Sequence, residues 1–196
     1  RQKIAWLENG LEAARQLKDR SMEGVHLGNL GLTYGAMSEM SKAIEYLEQA
    51  LDRSREIGSR RGEGAALGNL GLAYADLGET RKAIEYHKLA LDIDREFGHK
   101  RGEGNRLGSL GIAYAELGET RKAIEFYKQA VEIASEVGDW RGEGIHIGNL
   151  GLAYAYLGET RRAIEYHDRA LDIDRKIGDK MGEGTDLGNL GSAYYN

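Results

Sequence analysis

The chain has 196 residues, 41% apolar and 30% charged, with a formal net charge of -5 and neither cysteine nor proline. Acidic and basic residues are interleaved, so the chain lacks the basic stripe that a phosphate backbone demands, and nucleic acid is not an expected partner. Without cysteine there are no disulfides or thiolate metal sites, and no apolar run is long enough to cross a bilayer.

No signal peptide opens the chain, and a soluble cytoplasmic protein is expected. The sequence starts and stops in mid-repeat, at Arg1 and Asn196 and without an initial methionine, so it is expected to be a segment of a longer protein.

In chain order, the first expected element is a lone helix from about Lys3 to Leu17, inside residues 1–22. A phrase then recurs every 40 residues. Gly-Asn-Leu-Gly stands at Gly28–Gly31, Gly68–Gly71, Gly148–Gly151 and Gly188–Gly191, with Gly-Ser-Leu-Gly at Gly108–Gly111. Such a period marks a solenoid whose units bury their apolar faces only against their neighbours. Four full units are drawn over 23–62, 63–102, 103–142 and 143–182, followed by a lone helix over 183–196.

In the unit beginning at Gly64, helix A carries Leu67, Leu70, Tyr74 and Leu77 at helical spacing. Gly78 is its expected left-handed stop and Thr80 the expected N-cap of helix B. Helix B sets Ala83, Tyr86, Ala90, Ile93 and Phe97 on one face and closes at Gly98. Ten helices and an all-α single domain are expected. On helix A, Gly64, Gly68, Gly71 and Ala75 form one narrow stripe. Each interior glycine costs roughly 0.5–1 kcal/mol against alanine, so close packing of a neighbouring Tyr or Leu on the bare backbone must offset it.

Leu70-Gly71-Leu72-Ala73-Tyr74, then Gly78, Ala83 and Ala90, resembles the skeleton of the tetratricopeptide repeat. It recurs at Leu30-Gly31-Tyr34-Ala43-Ala50, Leu110-Gly111-Tyr114-Ala123-Ala130 and Leu150-Gly151-Tyr154-Ala163-Ala170. The 40-residue period and the closing glycines in place of proline resemble the glycine-rich variant of Pins-type polarity scaffolds and rapsyn, and the sensor arms of prokaryotic STAND NTPases. The resemblance implies a right-handed superhelix of antiparallel helix pairs, with helices A lining a concave face that binds peptides or partner helices.

Carried onto this chain, that face holds Val25, Ala65, Asn105 and Ile145; Asn29, Asn69, Ser109 and Asn149; Leu32, Leu72, Ile112 and Leu152; and Ala36, Asp76, Glu116 and Tyr156. The wheel independently groups Asn69, Leu72 and Asp76. The Lys and Arg of chaperone-binding clamps are missing, so an apolar or basic segment is the expected occupant. The asparagines either hydrogen-bond a peptide backbone or brace adjacent helices. Tyr156, Trp140, Glu116, Arg106 and Asp76 break the repeat and are candidate specificity positions. Trp140 is read as an exposed turn residue and contact hot spot, with a local cover over Ile145 as the alternative.

No cofactor, metal or enzymatic activity is expected. Gly62-Glu63-Gly64-Ala65-Ala66-Leu67-Gly68 matches a dinucleotide fingerprint only loosely, lacks a preceding strand and recurs in every unit. His87 and His167 stand where other units have Leu47 and Tyr127, which indicates a core role. His26 and His146 lie three units apart, too far to share a metal, and His99 falls in a turn. Asp92 and Asp94, like Asp172 and Asp174, are two apart on a helix and point in different directions. The expected function is a protein-interaction scaffold. The alternatives are end-to-end self-assembly, with Gly184–Tyr195 of one copy stacking on Ile4–Leu17 of another, and a sensor arm regulating a signalling NTPase.

Overall fold

A computed structural model describes residues 2–195; Arg1 and Asn196, the outer limits of the expected lone helices, lie outside the described residues. Ten helices and no strand are found among the described residues: α1 Gln2–Gln16, α2 Arg20–Gly35, α3 Met40–Glu56, α4 Arg60–Asp76, α5 Thr80–Glu96, α6 Lys100–Glu116, α7 Thr120–Glu136, α8 Trp140–Tyr156, α9 Thr160–Ile177 and α10 Lys180–Tyr195. Odd-numbered helices are of type B and even-numbered ones of type A. They fall into two compact units, one running through Phe97 and the other from Gly98.

In the first unit each of α1 to α5 packs on the next, and α2 also meets α4. Leu27, Leu30, Leu67 and Leu70 of the A helices interlock with Leu7, Leu47, Ala43 and Ala83 of the B helices. In the second unit α6 to α10 pack the same way, with α8 also meeting α6 and α10. The two outermost residues of the expected apolar faces behave differently. Leu77 and Phe97 occupy C-cap positions and are exposed, because the chain leaves the helix there before the stripe returns to the core.

Caps set the helix lengths. Asp19, Ser59 and Asp139 accept from the backbone N–H of Met22, Gly62 and Gly142 at 3.0, 3.2 and 3.1 Å, so these A helices start well before the glycine that opens the repeat phrase, at Arg20, Arg60 and Trp140. Helix B begins one residue earlier than an N-cap at Thr80 implies, with Thr80 as its first residue. Glu79 holds the cap position with no side-chain cap bond, and its carboxylate pairs instead with Lys82 at 2.6 Å. The connections turn on left-handed residues, glycine at seven of nine places. Lys18 and Ser38 are the other two, at φ 57 and 60°, where a Cβ crowds the following carbonyl. Ser38→Gly is accordingly expected to raise the stability of the first unit by about 1 kcal/mol, read as a higher denaturant midpoint at unchanged helicity.

Charge staples join α1 to α2, α3 to α4 and α9 to α10. Glu23, 3% exposed, accepts from Arg20 at 2.7 Å and Arg15 at 3.1 Å. Burial pushes its carboxyl up, but these bonds and the charge of Arg53 prevail and hold it below the ordinary glutamate value. Glu63 repeats the arrangement with Arg60 and Arg55, and Glu183 with Lys180 and Arg175. The glutamate of the weak dinucleotide-like string is thus a structural staple.

Candidate functional site

Every A helix turns one strip of side chains outward, because Leu67, Leu70 and Tyr74 and their equivalents occupy the inward strip. Between α2 and α4 that strip forms the walls of a cleft of about 260 Å³, with α3 as its floor. Val25, Asn29 and Leu32 stand on one wall, Ala65 and Asn69 on the other, and Ser54 and Ile57 come from below. The second unit has the same cleft three repeats further along, again about 260 Å³, between α8 and α10. There Ile145, Asn149 and Leu152 face Met181, Thr185 and Asn189.

The clefts differ in charge. Where the first is lined by Ser21, Ser54, Ser59 and Ala66, the second has Arg141, Asp174, Asp179 and Asp186. Asp186, 5% exposed, accepts from His167 Nδ1 at 3.1 Å. Burial pushes its carboxyl up, and His167 pulls partly the other way. Asp174, 8% exposed, is likewise pushed up, first by burial and then by Asp186 and Asp179. Asp172, two residues away, is exposed, as its divergent helical direction requires. Arg141 pairs with Asp179 at 3.4 Å.

Asn29, Leu32 and Asn69 come together in the first cleft, and Ile145, Asn149 and Leu152 in the second. Leu72 and Asp76 lie further along α4, exposed, and are not walls of the first cleft. Asn105, Ile112 and Glu116 are exposed on α6, and Arg106 is half-buried there. Tyr156 is not a wall of the second cleft. It is the last residue of α8 and, largely exposed, rims a recess formed by Gly118–Lys122 at the turn into α7. Trp140 is not a turn residue but the first residue of α8, exposed, in the place where Arg20, Arg60 and Lys180 answer a glutamate one turn on.

His87 and His167 are core residues, each 1% exposed. His146 lies against Gly108 and His26 against Gly10, each filling space that a missing Cβ leaves. Burial pushes the His146 imidazole down. Among the described residues no group of three or more His, Cys, Asp or Glu is placed to hold a metal, and no helix is long and apolar enough to cross a membrane. The Asp174–Asp186–His167 cluster escaped the sequence reading because its members lie on two helices; the signal was the replacement of Ala66 and Ser54 by acids at equivalent places.

Family models described as tetratricopeptide repeat match residues 27–57, 62–136 and 147–181. The chain belongs to the tetratricopeptide-repeat family. Among solved structures, BtubC from P. vanneervenii is similar over 99% of this chain and 82% of its own, at 23% identity and a TM-score of 0.86. A signal transduction ATPase with numerous domains, bearing a tetratricopeptide repeat sensor and from Pyrococcus horikoshii, is similar over 94% of this chain at 21% identity and a TM-score of 0.86. This chain spans only 29% of that protein's length. A Rap protein complexed with competence and sporulation factor is similar over 94% of this chain and 60% of its own, at 16% identity and a TM-score of 0.74. At these identities the likeness is one of fold. No curated protein matches the sequence. The tetratricopeptide chain is an all-α solenoid of the class that serves as a protein-interaction repeat scaffold.

Proposed function

We propose that this tetratricopeptide scaffold receives an extended or helical segment of a partner protein in the clefts between successive A helices. The observation that carries the reading is the pairing of amides across each cleft, Asn29 with Asn69 and Asn149 with Asn189, between exposed aliphatic side chains. A carboxamide offers a donor and an acceptor together, which matches the peptide group of a bound backbone, while Leu32, Ile145 and Leu152 offer apolar contact. The complex of the Rap protein with its factor supports a binding role for this fold. The neutral first cleft suits an apolar segment, and the acid-lined second cleft suits one that carries a basic side chain.

A random peptide display library selected on the whole chain tests the reading. Selected peptides are expected to combine aliphatic with Lys or Arg residues. Ile145→Glu with Leu152→Glu is expected to weaken them by at least about tenfold. Circular dichroism should be unchanged, because both side chains are about half exposed. Selected peptides that bind this variant and a matching Val25→Glu, Leu32→Glu variant as tightly as the parent would sink the cleft assignment.

A further inference from the structure

A different recess, sharing no residue with the two clefts, opens where α7, α8 and α9 meet. It has a volume of about 230 Å³ and is lined by Lys128, Tyr154, Arg162, Glu165, Tyr166 and Arg169. Its floor is rigid. Tyr154, 5% exposed, stacks on Tyr166 with ring centroids 5.2 Å apart and planes 4° from parallel. The Arg162 guanidinium lies 5.2 Å from the Tyr154 ring and that of Arg169 lies 5.5 Å from the Tyr166 ring, so the aromatic faces hold both cations in place. Arg162 also pairs with Glu159 at 2.6 Å.

The first unit builds the same place with the opposite charge. There the Tyr74 hydroxyl donates to Glu48 at 3.2 Å, and burial, together with that carboxylate, pushes its phenol up to about 12. Tyr74 stacks on Tyr86, Lys82 lies over the Tyr74 ring, and the positions matching Glu165 and Arg169 are Glu85 and Leu89. In the second unit, Lys128 stands where Glu48 accepts, and an ammonium cannot accept a hydrogen bond. The packing of the aromatic stack does not need this reversal, since the first unit packs the same stack around acids.

We propose that the recess of Lys128, Tyr154, Arg162 and Arg169 binds a phosphate monoester. Two arginines, one lysine and one tyrosine line it from three helices, with Glu165 in the lining and Glu159 beside Arg162 as the opposing charges. A carboxylate, with two oxygens and one charge, would leave part of that donor set unused. A phosphate monoester has three free oxygens and carries up to two charges near neutrality, and arginine forks fit them two at a time.

The test is titration of the whole chain with inorganic phosphate, O-phosphoserine and acetate at one ionic strength, followed by calorimetry and by the tyrosine ring signals in NMR. Saturable binding of phosphate or phosphoserine, with acetate inert, is expected; a preference for phosphoserine identifies a phosphorylated side chain as the source, and equal affinity identifies the free ion. Lys128→Glu with Arg169→Leu restores the residues of the first unit at two exposed positions and should weaken binding by at least about tenfold at unchanged helicity. Acetate binding as tight as phosphate, unchanged phosphate affinity in the double variant, or no saturable binding overturns the proposal.

Discussion

Gly71→Leu is expected to destabilise the first unit by about 3 kcal/mol or more, measured as a fall in the denaturant midpoint. A Cβ at Gly71 would stand 2.6 Å from Cε1 and Nδ1 of His87, whose ring is buried and has nowhere to swing. The contact is built into the repeat: Leu47 comes as close to Gly31, Tyr127 lies on Gly111, and His167 lies on Gly151. The leading glycine of the phrase differs from unit to unit, pressed by His146 at Gly108 and open at Gly28. Nothing lies within 4 Å of a Cβ placed on Gly28, so Gly28→Ala is expected to stabilise by about 0.5–1 kcal/mol through helix propensity alone. The two substitutions therefore have opposite signs within one repeated phrase. An unchanged midpoint for Gly71→Leu would overturn the account of that glycine as a close-approach site.

Asp186→Ala is expected to cost the second unit about 1–3 kcal/mol, because it strips the hydrogen-bond partner from a buried imidazole. His167→Leu together with Asp186→Ala reproduces Leu47 and Ala66, the first unit's solution at the same two positions, and is expected to be neutral or stabilising by about 1–4 kcal/mol. The difference between the single and paired variants, taken as a double-mutant cycle, isolates the pair. The pH dependence has a definite sign. Burial places the folded-state values of Asp186 and Asp174 above their unfolded ones, so the folded unit holds these protons more tightly. Their contribution is present below the ordinary aspartate value and is lost as the pH rises through the raised values. The gain from the paired variant should thus be larger at pH 7 than at pH 4. Glu23, Glu63 and Glu183 work in the other direction: their lowered values give stability that is lost on acidification. Equal gains at the two pH values would contradict the burial account of Asp186.

Much of the architecture is legible in the residues. Helical spacing of Leu67, Leu70 and Tyr74 marks the inner face of helix A, and Gly78 marks its left-handed stop, since both depend on a few neighbouring residues. The candidate site is less legible. Tyr156 takes a groove position by spacing alone, and only the folded chain shows that it also lines a recess with Gly118–Lys122. Trp140 reads as a turn residue because the cap that starts the helix before it, Asp139, is a local hydrogen bond hidden among glycines.

The sequence by itself determined the all-α class, the 40-residue repeat, the ten helices and the stripe of glycines on helix A that close packing must offset, because periodicity and chirality act over one or two turns. Only the tertiary structure decided which glycine of each phrase is covered, that Asp174 and Asp186 meet beside His167, and that Lys128 and Arg169 share a recess whose counterpart holds Glu48 and Leu89. Burial and charge at those places come from residues on different helices, and distance along the chain says nothing about which side chains share one low-dielectric space.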